Sequence, residues 1–176
     1  MMGKTYLYCP LCGSGLVGKE VDHRARKVCS SCEFVHYRNP VPAAGVILVE
    51  NGRVLLVKRK FEPRVGMWTL PAGFMEADED AASCALREAK EETNLDVEVI
   101  RLFDVYSAFD DPRTAVVLIL FLVRRSSRGA GSELKCGDDA SDAQYFDLNK
   151  LPEAIAFRAH RSALADIKKQ YAAGLL

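Results

Sequence analysis

Two hydrophobic periods divide the chain. Apolar, β-branched runs at 43–50, 53–58, 97–106, 114–123 and 143–147 are bounded by turn-forming residues, and each predicts a strand. The first two runs meet at Asn51-Gly52, the strongest short hairpin signal. Residues 116–123 are almost wholly apolar, which predicts a strand inside the sheet, covered on both faces. Residues 67–70 predict a short extended piece. A helical period replaces the strand period at 79–93, where Ala81, Ala82, Ala85, Leu86 and Ala89 make a face of small residues able to lie close to a sheet. A second helix is predicted over 158–173, with Leu164, Ile167 and Tyr171 on one face and Gly174 after it. The Ser-, Arg- and Gly-rich stretch 126–132 reads as a mobile loop, and Leu151-Pro152-Glu153 as a turn. Strands around one helix, closed by another, indicate a layered α/β domain.

The first 38 residues carry a different pattern. Cys9-Pro10-Leu11-Cys12 and Cys29-Ser30-Ser31-Cys32 are two knuckles with sixteen residues between them, the spacing of a zinc ribbon. So short a segment builds little core, and a structural Zn²⁺ on Cys9, Cys12, Cys29 and Cys32 would supply its folding energy, ~10–16 kcal/mol in zinc-finger peptides. Four Cys ligands close the coordination shell, so this zinc is expected to be structural rather than catalytic. The stiff connector Tyr37-Arg38-Asn39-Pro40-Val41-Pro42 joins a ribbon at 1–38 to a second domain at 39–176.

Composition narrows the classes. Of 176 residues, 49% are hydrophobic and 27% charged, the balance of a globular chain with room for one core and a small appendage. Lys plus Arg equals Asp plus Glu at 24 each, so net charge argues for neither nucleic-acid nor membrane binding. The ribbon itself is mildly basic. No apolar run approaches the ~20 residues of a spanning helix, and the first residues lack the apolar core of a secretory signal. The expectation is a cytoplasmic protein with no membrane partner.

The candidate chemistry lies on the first helix. Arg87, Glu88, Glu91 and Glu92 follow one another there, and at ~100° per residue the three glutamates span about a third of the circumference. Glu88 and Glu92 are like charges at i,i+4 and repel. A hard cation between them explains the arrangement, and oxygen-only ligands suit Mg²⁺ or Mn²⁺. Arg87 is placed to orient the carboxylates by charge-assisted hydrogen bonds. Glu79 can join them only from the loop or first turn. An ordinary Arg87–Glu91 ion pair and a helix-start acid at Glu79 are the plainer readings of those two residues.

At these residues the chain resembles the Nudix hydrolases, whose motif is G-x5-E-x7-R-E-U-x-E-E-x-G-U with U a bulky apolar residue. Gly73, Glu79, Arg87, Glu88, Glu91, Glu92 and Leu95 match it, Ala89 is a small U, and Asn94 replaces the last Gly. That Gly ends the helix at positive φ, and Asn is the next best residue there. The resemblance implies an α/β/α sandwich with a mixed sheet. It also implies that water cleaves a pyrophosphate linkage to release a nucleoside monophosphate. The metal site would be made by Glu88, Glu91, Glu92 and the Ala72 carbonyl, with Glu79, Arg87, Glu88, Glu91 and Glu92 as catalytic residues. The base is open between a box glutamate and a later loop acid, here Asp138, Asp139 or Asp142. A ribbon before such a domain is the layout of the NADH pyrophosphatases, but their Ser-Gln-Pro-Trp-Pro-Phe-Pro signature is absent. The chain is more similar to the FAD and ADP-ribose pyrophosphatases, which share Asn39-Pro40, the approach Gly66-Met67-Trp68-Thr69-Leu70-Pro71-Ala72-Gly73, and Ala156-Phe157-Arg158. Arg59 and Lys60 could meet phosphate, and Trp68, Tyr106 and Phe109 could stack on a ring. Arg59, Trp68, Tyr106 and Phe109 are the substrate-binding candidates. The expected partner is a small nucleotide. Capped RNA, a homodimer, and a non-catalytic scaffold binding nucleic acid or protein through the ribbon stay open.

Overall fold

In the computed structural model, which describes residues 6–111, 113–127, 133–137 and 139–176, the chain falls into two units. One is built on the residues up to Pro40, the other on Val41–Asp111 and Ala115–Leu176.

The first unit is a three-stranded antiparallel sheet, β1 (Leu16–Val21), β2 (Arg24–Cys29) and β3 (Val35–His36), with β2 in the middle. Each Cys pair sits in a tight turn. Gly13 N donates to the Cys9 carbonyl at 2.9 Å and Leu11 N to Cys9 Sγ at 3.4 Å; in the second turn Ser31 N donates to Cys29 Sγ at 3.4 Å. Gly13 and Glu33 supply the positive φ these turns need. Cys9, Leu16 and Cys29 are the buried apolar core, with Phe34 against them. Three residues are far too few to hold a domain, and a metal on the four thiols would supply the difference.

The second unit is organised by β4 (Val41–Glu50), buried without a break from Ala43 to Leu48. One edge runs parallel to β9 (Val116–Arg125), which pairs antiparallel with β8 (Val97–Ala108). The other edge is shared: β7 (Ala72–Phe74) pairs with its first half and β5 (Arg53–Arg59) with its end. β5 also pairs with β6 (Trp68–Thr69) and with β10 (Ala140–Asp147). The main sheet order is therefore β10-β5-β4-β9-β8. Parallel and antiparallel pairs coexist, so the sheet is mixed, as expected. The Asn51-Gly52 hairpin has positive φ at both residues, the primed turn that matches strand twist.

Alternate side chains of the sheet enter two cores. Ile47, Val54, Leu56, Leu118 and Leu120 pack with Ala159, Ala163, Leu164 and Ile167 of α2 (Arg158–Ala172). Val46, Leu48, Leu55 and Val123 pack with Cys84, Ala85 and Ala89 of α1 (Ala81–Thr93). One helix thus covers each face, giving the expected α/β/α layering. β9 is covered on both faces, since Leu118 and Leu120 belong to one core and Ile119 and Phe121 lie against the other.

Some expectations are adjusted. α1 starts at Ala81 rather than Glu79, because Asp80 takes the cap and its Oδ1 accepts from Ser83 N at 2.7 Å. Cys84 and Thr93 are buried on its inner face, whereas Leu86 is only half-buried. Tyr171 is largely exposed, its hydroxyl lying near Gly52. α2 has no cap of its own; Asp110, just past β8, accepts from Arg158 N at 2.9 Å and does that work from a distance. Of the stretch 126–132, Ser126 is buried and bonded to Asp96 and Glu98, and residues 128–132 lie outside the described residues. Among the described residues no helix is long and apolar enough to cross a membrane.

His160 is buried on α2, and its Nδ1 accepts from Leu70 N at 3.2 Å. Burial first, and the charge of Arg59 second, depress its pKa to about 4. The unfolded chain therefore binds a proton near pH 6.5 that the fold excludes. Stability from this group is complete above pH 6.5 and is lost as pH falls from there toward 4, by ~3 kcal/mol in all. Urea unfolding of His160→Gln, which keeps an acceptor for Leu70, should show a shallower fall over that window than the native protein. Equal slopes would contradict the assignment.

Candidate active site

Everything chemical in the second unit converges on the β7–α1 segment. Asp80 caps the helix, so Glu79 stays ahead of it and its side chain folds back on the second turn. There Arg87 meets it with two parallel bonds, Nε to Oε2 at 3.0 Å and Nη2 to Oε1 at 2.7 Å. The other side of the same guanidinium serves Glu88 at 2.6 Å and Glu91 at 2.9 Å, both through Nη1, while Nη2 also reaches the Phe74 carbonyl at 3.2 Å. One cation holds three carboxylates in a fork geometry that an ammonium cannot match. The Arg87 bond holds Glu79 down to about 2, and the three acids in turn raise Arg87.

Glu92 stands apart. It lies one turn beyond Glu88, and its Oε2 accepts from Ala72 N at 3.0 Å. Burial and then the charge of Glu88 push it up to about 8. Burial also raises Glu88. Two carboxylates that resist ionisation together are a place where a divalent cation can take over from a proton.

The backbone around them is set by close approach. Gly45 of β4 pairs with Ala72, and any Cβ at 45 would overlap Ala72 and the Pro71 carbonyl. Gly73 leaves the space that the Glu88 carboxylate fills. Beneath them Cys84 points its thiol at the Gly73 and Phe74 carbonyls, 3.8 and 3.7 Å away, and burial pushes that thiol up to about 11.

Of the loop acids, Asp139 is near enough for its charge to raise both Glu88 and Glu92. Asp142 is engaged with Ala143 N and Gln144 Nε2 at 2.8 and 2.6 Å, and Asp138 lies outside the described residues. Arg59 is near enough to Glu92 to oppose its rise. Its guanidinium lies 5.2 Å from the Phe157 ring and donates to the Pro63 carbonyl at 2.8 Å. Trp68 is buried in the α2-side core, 4.7 Å from Phe146 in an edge contact. The Tyr106 hydroxyl donates to Asp166 of α2 at 2.9 Å. Both rings are thereby taken up in packing, whereas Phe109 is 79% exposed. The sequence offered Ala156-Phe157-Arg158 only as a pattern; the structure shows Phe157 as the ring supporting Arg59.

In the ribbon, the Sγ atoms of Cys9, Cys12, Cys29 and Cys32 lie within 4.8 Å of one another. Cys9–Cys32 and Cys12–Cys29 are each 3.5 Å apart, far beyond a disulfide bond. Four thiols so gathered, with backbone N–H groups on two of them, fit a tetrahedral zinc. It is the one such cluster among the described residues; the box carboxylates are spread between Arg87 and Ala72 instead.

A family model described as NUDIX domain matches residues 39–167, and a zinc-ribbon model described as Nudix N-terminal matches residues 7–38. An ADP-ribose pyrophosphatase of Methanocaldococcus jannaschii is 40% identical over 143 residues, 81% of this chain and 82% of that one. An NAD-capped RNA hydrolase NudC of Vibrio atlanticus is 31% identical over 96% of this chain, which spans only 61% of that relative's length. The crystal structure of a NUDIX hydrolase from Nitrosomonas europaea superposes with a TM-score of 0.81 at 31% identity, covering 96% of this chain and 94% of that one.

A methyl group at Gly73 must displace the Glu88 carboxylate. Gly73→Ala should cut turnover ~10²-fold or more, with an unchanged circular dichroism spectrum. Retained turnover would show that Glu88 is not needed where it stands.

Proposed function

The chain belongs to the Nudix hydrolases, and on that premise we propose that it cleaves the pyrophosphate bond of a nucleoside diphosphate derivative of the ADP-ribose type, releasing AMP. The observation that carries this reading is the single guanidinium of Arg87 holding Glu79, Glu88 and Glu91 while Glu92 is kept apart and reluctant to ionise. That is an arrangement for collecting positive charge beside a fixed array of oxygens.

Glu88, Glu91, Glu92 and the Ala72 carbonyl are the groups that would hold magnesium or manganese. When bound, such an ion neutralises phosphoryl charge and makes a water more acidic. The protein's own share is positioning. Arg87 fixes the carboxylates. Arg59, braced on Phe157, faces the diphosphate and offsets charge on the leaving phosphate. Asp139, in the loop before β10 and near enough for its charge to be felt by Glu88 and Glu92, takes the proton of the attacking water in this reading. Water oxygen bonds to one phosphorus, the bridging P–O bond breaks, and the bridging oxygen leaves on the other phosphate. Trp68 and Tyr106 contribute by packing, which leaves Phe109 as the exposed ring open to a base or ribose. Zinc on the four cysteines is structural.

ADP-ribose leads because the M. jannaschii relative, matched over most of both chains, bears that activity in its name. FAD has the same adenosine diphosphate half and stays within the proposal. A second reading, hydrolysis of NADH or of an NAD cap on RNA, is favoured by the NudC match, which extends through the ribbon. The deciding experiment is a panel of ADP-ribose, FAD, NADH and NAD-capped RNA with Mg²⁺, with AMP resolved by chromatography. AMP from ADP-ribose, reduced ~10²-fold or more in Glu92→Gln, is the expected result. No AMP from any substrate would overturn the proposal, and preference for the NAD compounds would select the second reading.

The purified protein should contain one zinc per chain by metal analysis. Cys29→Ser should lose it and expose the ribbon to protease, while the Nudix domain still unfolds cooperatively. Zinc-free protein with an intact ribbon would refute the structural role.

A further inference from the structure

The residue at which the chain departs from the Nudix pattern is engaged in a contact that the usual Gly could not make. Asn94 ends α1 at φ 60°, with its N–H on the Lys90 carbonyl at 2.9 Å, so it fills the helix-ending conformation that Gly normally serves. Its side chain does something further. Asn94 Nδ2 donates to the Glu133 carbonyl at 3.1 Å, which ties the helix end to a strap far along the sequence.

The strap, residues 133–137, closes the C-terminal end of α1. Lys135 N donates to the Thr93 carbonyl and Gly137 N to the Glu92 carbonyl, each at 3.1 Å. These are two of the carbonyls that any helix leaves without an internal partner. Leu134 packs against the α1-side core. Gly137 lies so close to the Glu91 carbonyl that a Cβ there would overlap it. Two residues later is Asp139, whose carbonyl accepts from Lys60 N at 3.3 Å. Two residues of extended chain span at most ~7 Å, so holding Gly137 on the Glu92 carbonyl keeps Asp139 within that reach of the helix end.

We propose that Asn94 is a positioning residue: its amide fastens the 133–137 strap across the end of α1 and thereby fixes Asp139 against the box carboxylates. This rests on the reading of Asp139 as the proton acceptor given above. The pyrophosphate-bond chemistry does not require the clasp; its rate does. Without the Asn94–Glu133 bond the strap keeps its two backbone bonds but loses the tether at its start, and Asp139 spends less time in reach of the water.

The test is Asn94→Gly, which allows the same backbone conformation and removes only the amide. Hydrogen exchange of the full-length protein, without substrate, should show the amides of Lys135 and Gly137 exchanging several-fold faster. With ADP-ribose and Mg²⁺, kcat should fall three- to tenfold with KM within twofold. In an Asp139→Asn background the same substitution should have no further effect on kcat. Gly137→Ala, which forces the strap away, should reproduce the Asp139→Asn loss. Unchanged exchange would remove the clasp, and faster exchange with unchanged kcat would remove its role in positioning. A change confined to KM, or an equal loss in the Asp139→Asn background, would likewise overturn the proposal. Failure of the ADP-ribose reading is distinct, because native protein would then show no turnover while the exchange result still stands.

Discussion

Crowded negative charge is the constraint around which the second unit is built. Glu79, Glu88, Glu91 and Glu92 gather at one end of a sandwich whose two cores are apolar, and the charge of Asp139 acts on Glu88 and Glu92 as well. Left alone, such a cluster would repel itself apart or protonate. Arg87 prevents the first for three of the acids by donating to each of them as well as to the Phe74 carbonyl. Glu92 leans toward the second course, its carboxyl pushed up by burial and by the charge of Glu88. A site balanced in this way is short of positive charge, and a divalent cation would relieve it.

The rest of the fold delivers these groups with little slack. β4 is buried on both faces and shares one edge between β7 and β5. That division carries β7 in at Gly45 and presents Ala72 to Glu92. The small inner face of α1, Ala85 and Ala89, allows the helix to lie close to the sheet. At the opposite end of the site, Asp110 caps α2 while Arg64 and Arg161 approach it at 3.6 and 3.9 Å. Next to it Phe157 carries Arg59. Both helices are therefore finished by residues distant in sequence, α1 at its C-terminus by the strap and α2 at its N-terminus by Asp110.

What the sequence disclosed follows the same division between local and distant. Period-two runs marked the strands, Asn51-Gly52 marked the hairpin, and the spacing of charges from Glu79 to Glu92 marked the site, because each is a property of neighbours along the chain. Glu79 was rightly confined to the loop or first turn, though the Asp80 cap starts the helix two residues later than expected. The distant devices were not legible. Nothing near Asp110 shows that it caps a helix beginning at Arg158, and nothing near Asn94 shows that Glu133 lies beside it. Trp68 and Tyr106 illustrate the same limit, since an aromatic residue near a motif gives no sign of which core will claim it.

The buried thiol of Cys84 has a kinetic meaning. It sits under the Gly73 and Phe74 carbonyls and beside Arg87, and its raised pKa keeps it almost wholly protonated at neutral pH. The thiolate is the nucleophile and this sulfur is buried, so alkylating reagents should meet it slowly while the site is closed. Modification of this sulfur must wait for β7 to part from α1. Where reclosing outpaces reaction, the observed rate is the opening equilibrium multiplied by the rate for an exposed thiol. The site thus carries its own clock, and the sulfur counts how often the carboxylate array comes undone.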